Sequence, residues 1–172
     1  MAKKPLIVDE SLYDVNAPIA TIDEIRKHNR QRFEMEQLTA ILYDNFEEKK
    51  CVGYKDMTPD EFWVRGHMPD FPLTPGVVMC ECAAQMASYF VTKHNMFNGA
   101  VMGFAGLEEV KFRGMVRPGD RLVIQAEMIK WRKILVTSHF MCLVGDNIVC
   151  EGVLKGVPLP IESTSAAEAV EK

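Results

Sequence analysis

The longest apolar run of the chain covers residues 77–91 and reads VVMCECAAQMASYFV, with Glu81 as its one charged side chain. A helix of this composition is apolar on every face, which is typical of a helix buried on all sides. Pro75 precedes the run and suits the first turn of a helix, where a missing N–H costs nothing. The pattern predicts a long buried helix that has Thr74 as a plausible N-cap and ends shortly before Gly99.

After Gly99 the pattern changes to the alternation of apolar and polar residues that is typical of antiparallel strands. We predict four strands, over residues 101–116, 122–131, 134–144 and 148–157. A turn from Arg117 to Asp120 joins the first two, because Pro118 presets φ and Gly119 tolerates a positive φ. The sequence Gly-Asp-Asn at 145–147 predicts a tight turn before the last strand.

The first third of the chain gives shorter signals. Strand-forming residues at 38–43 and 51–57 flank a charged turn and predict a further hairpin. Two capping boxes each predict a short helix, one at residues 21–28 and one at 58–63. The polar segment 29–37 between them is interpreted as a connector.

A long buried helix beside an antiparallel meander is an α+β arrangement, in which the sheet wraps around the helix. We expect three regions: an arm with a short helix at residues 1–30, a single domain at 31–158 and a flexible tail at 159–172. The sheet would keep an open edge, and an open edge needs covering. We therefore expect a homodimer.

Composition narrows the class of protein. A chain of 172 residues can bury one sizeable core, and its net charge of −4 gives no reason to expect nucleic acid as a partner. The five cysteines include no Cys-x-x-Cys pair and lie mostly in apolar runs, which favours reduced thiols and a cytoplasmic location. No signal peptide is recognisable, and no apolar run approaches the ~20 residues that span a bilayer.

Candidate chemistry lies where a stiff loop enters the helix. The loop begins at His67 and carries proline at positions 69, 72 and 75, so it cannot be an ordinary helix or strand. Histidine is the common general base near neutral pH, and a carboxylate such as Glu81 among apolar side chains can hold or deliver a proton. The N–H groups of Gly76 and Val77 would suit an oxygen that acquires negative charge. Gly76 also lets a ligand approach the backbone closely.

Metal chemistry is not indicated. Cys80 and Cys82 point about 200° apart on a helix, so they cannot share one ion. A nucleophilic Cys80 would lie in an apolar run, where thiols are more often inert. We expect neither a metal nor an organic cofactor.

The motif His67-x-Pro-x-x-Pro-x-x-Pro-Gly76-Val77, followed by Glu81 and Ala84-Gln85, resembles the active-site motif of the hotdog-fold 3-hydroxyacyl-[acyl-carrier-protein] dehydratases of fatty-acid synthesis. The segment from Val110 to Asp120 also resembles a strand and turn of that family. The resemblance runs from about residue 38 to residue 157. It implies a hotdog fold and a dimer with two active sites at the subunit interface, and it allows assembly of these dimers as a trimer of dimers.

The resemblance also implies roles. His67 would remove the Cα proton of a 3-hydroxyacyl thioester on acyl carrier protein or coenzyme A, and Glu81 of the other subunit would protonate the departing β-hydroxyl. The Gly76 N–H would polarise the thioester carbonyl. Gln85, one turn beyond Glu81, is placed to hold its carboxylate. Val77 and Phe71 complete the expected substrate contacts.

The chain departs from the family pattern at three places. Phe71 stands where members commonly have a second histidine, and Thr74 stands where a methionine is usual. The family's N-terminal Pro-His-Arg-Tyr-Pro segment is barely recognisable in residues 28–33. These changes concern the entrance and the acyl tunnel rather than His67 and Glu81.

Two alternatives to the dehydratase remain. One is a thioesterase or enoyl hydratase on the same fold, since Glu81 could also direct water at a thioester carbonyl. The other is an acyl-thioester-binding protein that has kept the fold without catalysis. The presence of both His67 and Glu81 favours an enzyme, because packing alone demands neither side chain.

Overall fold

The computed structural model describes residues 4–159. Two α-helices lie in this part of the chain, α1 at Ile22–His28 and α2 at Gly76–Lys93. The strands are β1 at Ala40–Asn45, β2 at Lys50–Asp56, β3 at Val101–Phe112, β4 at Arg121–Arg132, β5 at Leu135–Val144 and β6 at Asn147–Leu159. They form one antiparallel sheet in the order β1-β2-β4-β5-β6-β3.

Helix α2 lies against the inner face of this sheet, as the apolar run predicts. Its side chains from Val78 to Val91 are buried, with Glu81 as the half-buried exception. On the neighbouring strand β4 the inward-facing residues are fully buried: Leu122, Ile124, Ala126 and Met128. A sheet wrapped around one long helix confirms the predicted α+β hotdog architecture.

The N-terminal arm crosses the outer face of the sheet. Ile7 and Val8 are buried there in a second apolar cluster that includes Val52 and Met141. The side chain of Gln125 fixes the arm, since its Oε1 accepts from the Val8 N–H at 3.0 Å and its Nε2 donates to the Val8 carbonyl at 2.9 Å. Both polar atoms of this buried amide are thereby satisfied.

The two edges of the sheet differ. The edge strand β1 is partly covered by the arm, because the N–H of Ile41 donates to the Ala20 carbonyl and its carbonyl accepts from Ile19 and Ala20. The other edge strand, β3, has β6 as its one neighbour among the described strands. Exposed apolar side chains lie along β3 at Phe104, Leu107 and Phe112.

Several predicted boundaries are wrong in detail. Thr74 does not cap α2: the helix begins at Gly76 with Pro75 at the N-cap position, and Thr74 is buried with its hydroxyl unpartnered among the described residues. Strand β3 ends at Phe112 rather than at residue 116. Residues 58–63 form turns and not a helix. A proline-containing capping pattern therefore does not guarantee a helix where the next residues must turn toward a loop.

The two capping boxes do not form as predicted. Helix α1 exists, but Thr21 makes no side-chain cap, and the Glu24 carboxylate bonds to Lys27 and His28 instead of closing the box. In the second box only the Thr58 N–H bonds back to Glu61, at 3.4 Å.

The last strand extends further than predicted. Pro158, which lies just beyond the predicted strand, and Leu159, which the sequence assigned to the tail, belong to β6 and pair with Met102 and Val101. Pro158 is tolerated because β5 has no residue paired with it: the pairing of β5 with β6 stops at Gly156. The end of β6 therefore forms hydrogen bonds with β3 alone. The rest of the predicted tail, residues 160–172, lies outside the described residues.

Candidate active site

His67 is held by the loop that it opens. Its N–H donates to the Trp63 carbonyl at 2.8 Å, and its carbonyl accepts from the Leu73 N–H at 2.9 Å. Its ring Nδ1 lies 2.6 Å from the Leu73 carbonyl oxygen. A carbonyl can only accept, so Nδ1 carries the hydrogen and the Nε2 lone pair of the neutral ring is free to take a proton. The loop thus selects the tautomer that a general base needs.

The pocket beside His67 lies at the N-terminus of α2. It is lined by His67, Leu73, Thr74, Pro75, Gly76, Val77, Met79, Phe112, Gly114 and Met115. The Gly76 and Val77 N–H groups belong to the first helical turn, where backbone donors have no acceptor within the helix. The N–H of Thr74 donates to the Val116 carbonyl at 2.8 Å, which ties this wall of the pocket to the segment after β3.

Gly76 has a steric reason to be glycine in addition to the predicted one. A Cβ atom at this position would lie 2.8 Å from two ring carbons of Phe112. Real Cβ atoms do not tolerate such a distance, so the aromatic ring occupies the space that a side chain would need. Phe112 was not predicted as a site residue, and no local sequence signal marks it.

Phe71 does not line either pocket of the candidate site. Its ring is exposed and carries the guanidinium of Arg117, 4.5 Å from the ring centroid. In the structure Phe71 therefore lies on the solvent side of the loop that begins at His67, where its ring contacts Arg117. Its expected contact with substrate remains a prediction.

Glu81 is anchored by the predicted hydrogen bond from Gln85, whose Nε2 donates to its Oε1 at 2.7 Å. The same Nε2 donates to the Met35 carbonyl at 2.7 Å, while Oε1 of Gln85 accepts from the Gln37 N–H at 2.9 Å. Because a backbone N–H can only donate, the amide of Gln85 has one possible orientation. The Gln85 carbonyl is itself bound by the Asn29 side chain at 3.0 Å.

These partners come from segment 29–37, which the sequence presented as a polar connector. It contains a short 3-10 helix at Phe33–Met35 and is tied to α1 by a two-pronged ion pair between Arg26 and Glu36. The contacts to Gln85 use backbone atoms of Met35 and Gln37, which have no side-chain signature. Sequence reasoning therefore missed this part of the site.

The Glu81 pocket is separate from the His67 pocket in one subunit. It is lined by Met35, Gln37, Phe62, Val77, Val78 and Glu81. Val77 lines both pockets and is 74% exposed. One subunit therefore brings Gly76 and Val77 beside His67, and Gln85 beside Glu81, but it does not place His67 and Glu81 in a common pocket.

Among residues 4–159, no group of histidine, cysteine or acidic side chains is arranged to hold a metal ion. All five cysteines are buried and free. A hydrogen bond with Cys150, together with burial, raises the pKa of the Cys80 thiol, and burial raises that of Cys82. Both groups are therefore protonated thiols rather than reactive thiolates near neutral pH.

Comparison with known proteins identifies the family of the chain. Residues 29–153 match the model of the FabA-like domain family. The 3-hydroxyacyl-[acyl-carrier-protein] dehydratase FabZ of Clostridioides difficile is 34% identical over 137 residues, which is 77% of this chain and 93% of the relative. The enzyme of the same name from Clostridium perfringens strain SM101 is 36% identical over 115 residues, or 65% of this chain and 83% of the relative.

Solved structures show the same fold at low identity. The dehydratase heterocomplex ApeI:P from Xenorhabdus doucetiae aligns with a TM-score of 0.68 at 12% identity and covers 79% of this chain and 91% of its own. A putative thioesterase from Ralstonia eutropha aligns with a TM-score of 0.57 at 11% identity, over 69% of this chain and 83% of its own.

The described residues contain no helix long and apolar enough to cross a membrane.

Proposed function

Because the chain belongs to the FabA-like family, we propose that it is a 3-hydroxyacyl-[acyl-carrier-protein] dehydratase. Such a hydro-lyase removes water from a 3-hydroxyacyl thioester and gives the trans-2-enoyl thioester. The strongest support is the set of FabZ relatives that align over most of their own length. The match includes the segment that carries His67, Gly76 and Glu81.

Each proton of the reaction has a candidate carrier. Nε2 of His67 takes the Cα proton while Nδ1 stays bound to the Leu73 carbonyl, and the electrons of the broken C–H bond form the Cα=Cβ double bond. The Cβ–O bond breaks as Glu81 protonates the leaving hydroxyl, which departs as water. The Gly76 N–H stabilises the oxygen of the thioester carbonyl while the Cα proton leaves. His67 ends protonated and Glu81 deprotonated, so one proton must return before the next turnover.

A homodimer would complete the site. His67 and Glu81 line different pockets of one subunit, and β3 offers an edge with exposed apolar side chains. Pairing of two β3 edges would cover those side chains and bring a second subunit to the start of α2. We infer that His67 of one subunit acts with Glu81 of the other, and that dimers can assemble further into a trimer of dimers.

The test follows absorbance of the enoyl thioester formed from a 3-hydroxyacyl carrier-protein substrate. The native chain should equilibrate the two forms, and His67→Ala and Glu81→Gln should each be inactive while keeping the native circular dichroism spectrum. Release of free thiol instead of enoyl product would identify a thioesterase. Absence of both products would leave a binding protein and would refute the proposal.

Mixing the two inactive variants tests the shared site directly. After subunit exchange, half of the dimers contain one chain of each variant, and each such dimer has one site with both native residues. Activity should return to about a quarter of the wild-type rate. If His67 and Glu81 acted within one subunit, every site would keep one lesion and the mixture would stay inactive.

The buried free thiols support a reducing compartment, and we propose the cytoplasm as the location. Substrate carried on coenzyme A is the second arm of the same assay. A lower KM with acyl carrier protein than with coenzyme A would identify the protein carrier as the natural one.

A further inference from the structure

The turn between β4 and β5 carries an unusual run of exposed residues. Six consecutive side chains, Ile129, Lys130, Trp131, Arg132, Lys133 and Ile134, are exposed, and we call them the hairpin tip. The three apolar members are 54%, 46% and 73% exposed in chain order. Scattered exposed apolar residues are normal, but three of them interspersed with three cations at the end of one hairpin form a surface of mixed apolar and positive character.

The cations of the hairpin tip are unpaired within the part of the chain that the structure describes. None of the three side chains forms an ion pair or a hydrogen bond with residues 4–159. The chain as a whole has a net charge of −4, so this concentration of positive charge runs against the composition. A local positive surface of this kind favours an anionic partner.

Hydrogen bonds and strand register fix the positions of the apolar side chains of the hairpin tip. The indole N–H of Trp131 donates to the Met96 carbonyl at 3.0 Å, which fixes the ring at the C-terminal end of α2 while nearly half of the residue remains exposed. A register shift between Met128 and Lys130 leaves Ile129 outside the regular pairing of β4 with β5. Ile134 lies in the two-residue turn itself.

We propose that the hairpin tip docks on an anionic phospholipid surface. Lysine and arginine are attracted by anionic head groups, while tryptophan and isoleucine fit the boundary between head groups and acyl chains. A single turn is too small for an ordinary protein interface, which needs ~800 Å² from each partner. Within the subunit, Trp131 contacts Met96 just beyond the C-terminus of α2, a helix about 27 Å long, so the tip lies at the other end of the helix from the His67 pocket.

The hairpin tip supplies its own spectroscopic probe. The chain has two tryptophans, and Trp63 is 4% exposed, so a change in emission on docking reports Trp131. The native protein should float with vesicles of phosphatidylcholine mixed with an equal amount of phosphatidylglycerol, with a blue shift of its emission. It should not float with phosphatidylcholine alone. Raising the salt concentration should weaken binding, because exposed charges are screened.

Variants separate the two components of binding. Lys133→Glu replaces an attraction by a repulsion and should weaken partition into the anionic vesicles about 25-fold, taking about fivefold for each unit of charge. Ile134→Ser and Ile129→Ser should reduce the blue shift. Arg30→Glu makes the same charge change at another exposed position and should alter partition by less than twofold. All four variants should keep the wild-type circular dichroism spectrum.

Three results would overturn the proposal. Failure of the native protein to float with anionic vesicles is one, and equal weakening of binding by Arg30→Glu and Lys133→Glu, which would show a nonspecific charge effect, is another. A change in the oligomer mass of Ile134→Ser, measured by light scattering, would make the tip a contact between copies of this chain. Docking does not depend on the dehydratase proposal, since flotation requires no turnover.

Discussion

Gln85 holds Glu81 from the next turn of α2, with 2.7 Å between its Nε2 atom and Oε1 of the carboxylate. The orientation of the amide is set by the Gln37 N–H, so Glu81 always meets a donor at this oxygen. Oε1 therefore serves as an acceptor, and in the proposed reaction Oε2 is the oxygen that would carry the proton for the leaving hydroxyl. Through Gln85, the segment 29–37 thereby fixes which oxygen of Glu81 accepts a hydrogen bond and which one stays available for the proposed acid role.

Replacing Gln85 by leucine should lower kcat more than it raises KM. The substitution keeps the size of the side chain but removes the donor to Glu81 and leaves the Gln37 N–H and Met35 carbonyl without partners. Loss of such buried hydrogen bonds costs about 1–3 kcal/mol, which corresponds to about 5- to 150-fold in rate. Steady-state kinetics of enoyl formation measure the change.

Gln37→Ala is the matched control. Gln37 reaches Gln85 through its backbone N–H, which alanine retains, so kcat should stay within about threefold of the wild type. Equal losses in the two variants would mean that the orientation of the Gln85 amide does not matter for turnover.

Gly76→Ala should destabilise the protein. The added Cβ would meet the Phe112 ring at 2.8 Å, and this half-exposed ring must turn away from the helix to make room, so the cost should lie near the lower end of the about 1–3 kcal/mol of overpacking. The propensity gain of about 1 kcal/mol over glycine applies to a helix interior, and Gly76 is the first helical residue, so a net loss is expected. Urea unfolding should show a lower midpoint, and Phe112→Leu in the same chain should recover part of the loss. A midpoint at or above that of the native chain would contradict this account.

The stability of the protein should fall in acid partly through Glu151. This buried carboxylate on β6 is bound by Lys4 of the arm and by Arg113, at 3.0 Å from its Nε and 2.5 Å from its Nη2. The Lys4 hydrogen bond first, and then the Arg113 hydrogen bond, lower the pKa of Glu151 below its usual value despite burial. The stabilisation is present above the unfolded-state pKa of about 4.3 and is lost as pH falls through the lowered folded pKa.

Glu151→Gln isolates this contribution. Lys4 and Arg113 are about half exposed, so solvent screens the pair and the loss at pH 7 should be about 1 kcal/mol. The difference from the native chain should shrink as unfolding is measured at lower pH. A constant difference down to the acid transition would assign the loss to packing rather than to charge.

A charge on the β3 edge should separate the subunits. Leu107→Lys places an ammonium group on the exposed edge strand, where two such edges could not pair without burying it. Light scattering should show a shift toward the 19.5 kDa monomer, with loss of enoyl formation in the same samples. Ile19→Lys is the control, because Ile19 is exposed on the arm and contacts β1 through its backbone N–H. A monomer that keeps full activity would contradict the shared site.

The loop and helix could be predicted because their signals are local. Prolines at 69, 72 and 75 and the apolar run at 77–91 each restrict their own backbone, and the half-buried Glu81 stands out against that run. The hydrogen bond from Gln85 followed from the spacing of four residues on a helix. These features locate both catalytic candidates without knowledge of the sheet.

The remaining parts of the site depend on contacts between distant segments. Phe112 meets Gly76 across 36 positions of sequence, and the bonds to Gln85 come from backbone atoms of residues 35 and 37. Backbone atoms are the same in every residue, so the sequence contains no mark of them. The packing of the predicted arm on the sheet escaped prediction for a related reason, since two buried residues, Ile7 and Val8, are too few to show a period.

The two hydrogen bonds between the Gln125 side chain and the Val8 backbone also have a consequence for storage of the protein. One side-chain amide occupies both backbone groups of Val8, so the arm rests on the face of the sheet and adds no strand to it. Proteolytic trimming ahead of α1 would leave the hydrogen-bonded ladder of six strands whole but would uncover the apolar side chains beneath the arm, Val52 and Met141 among them. A trimmed preparation would consequently stay folded but become prone to aggregation. Precipitation on storage would then precede any loss of secondary structure.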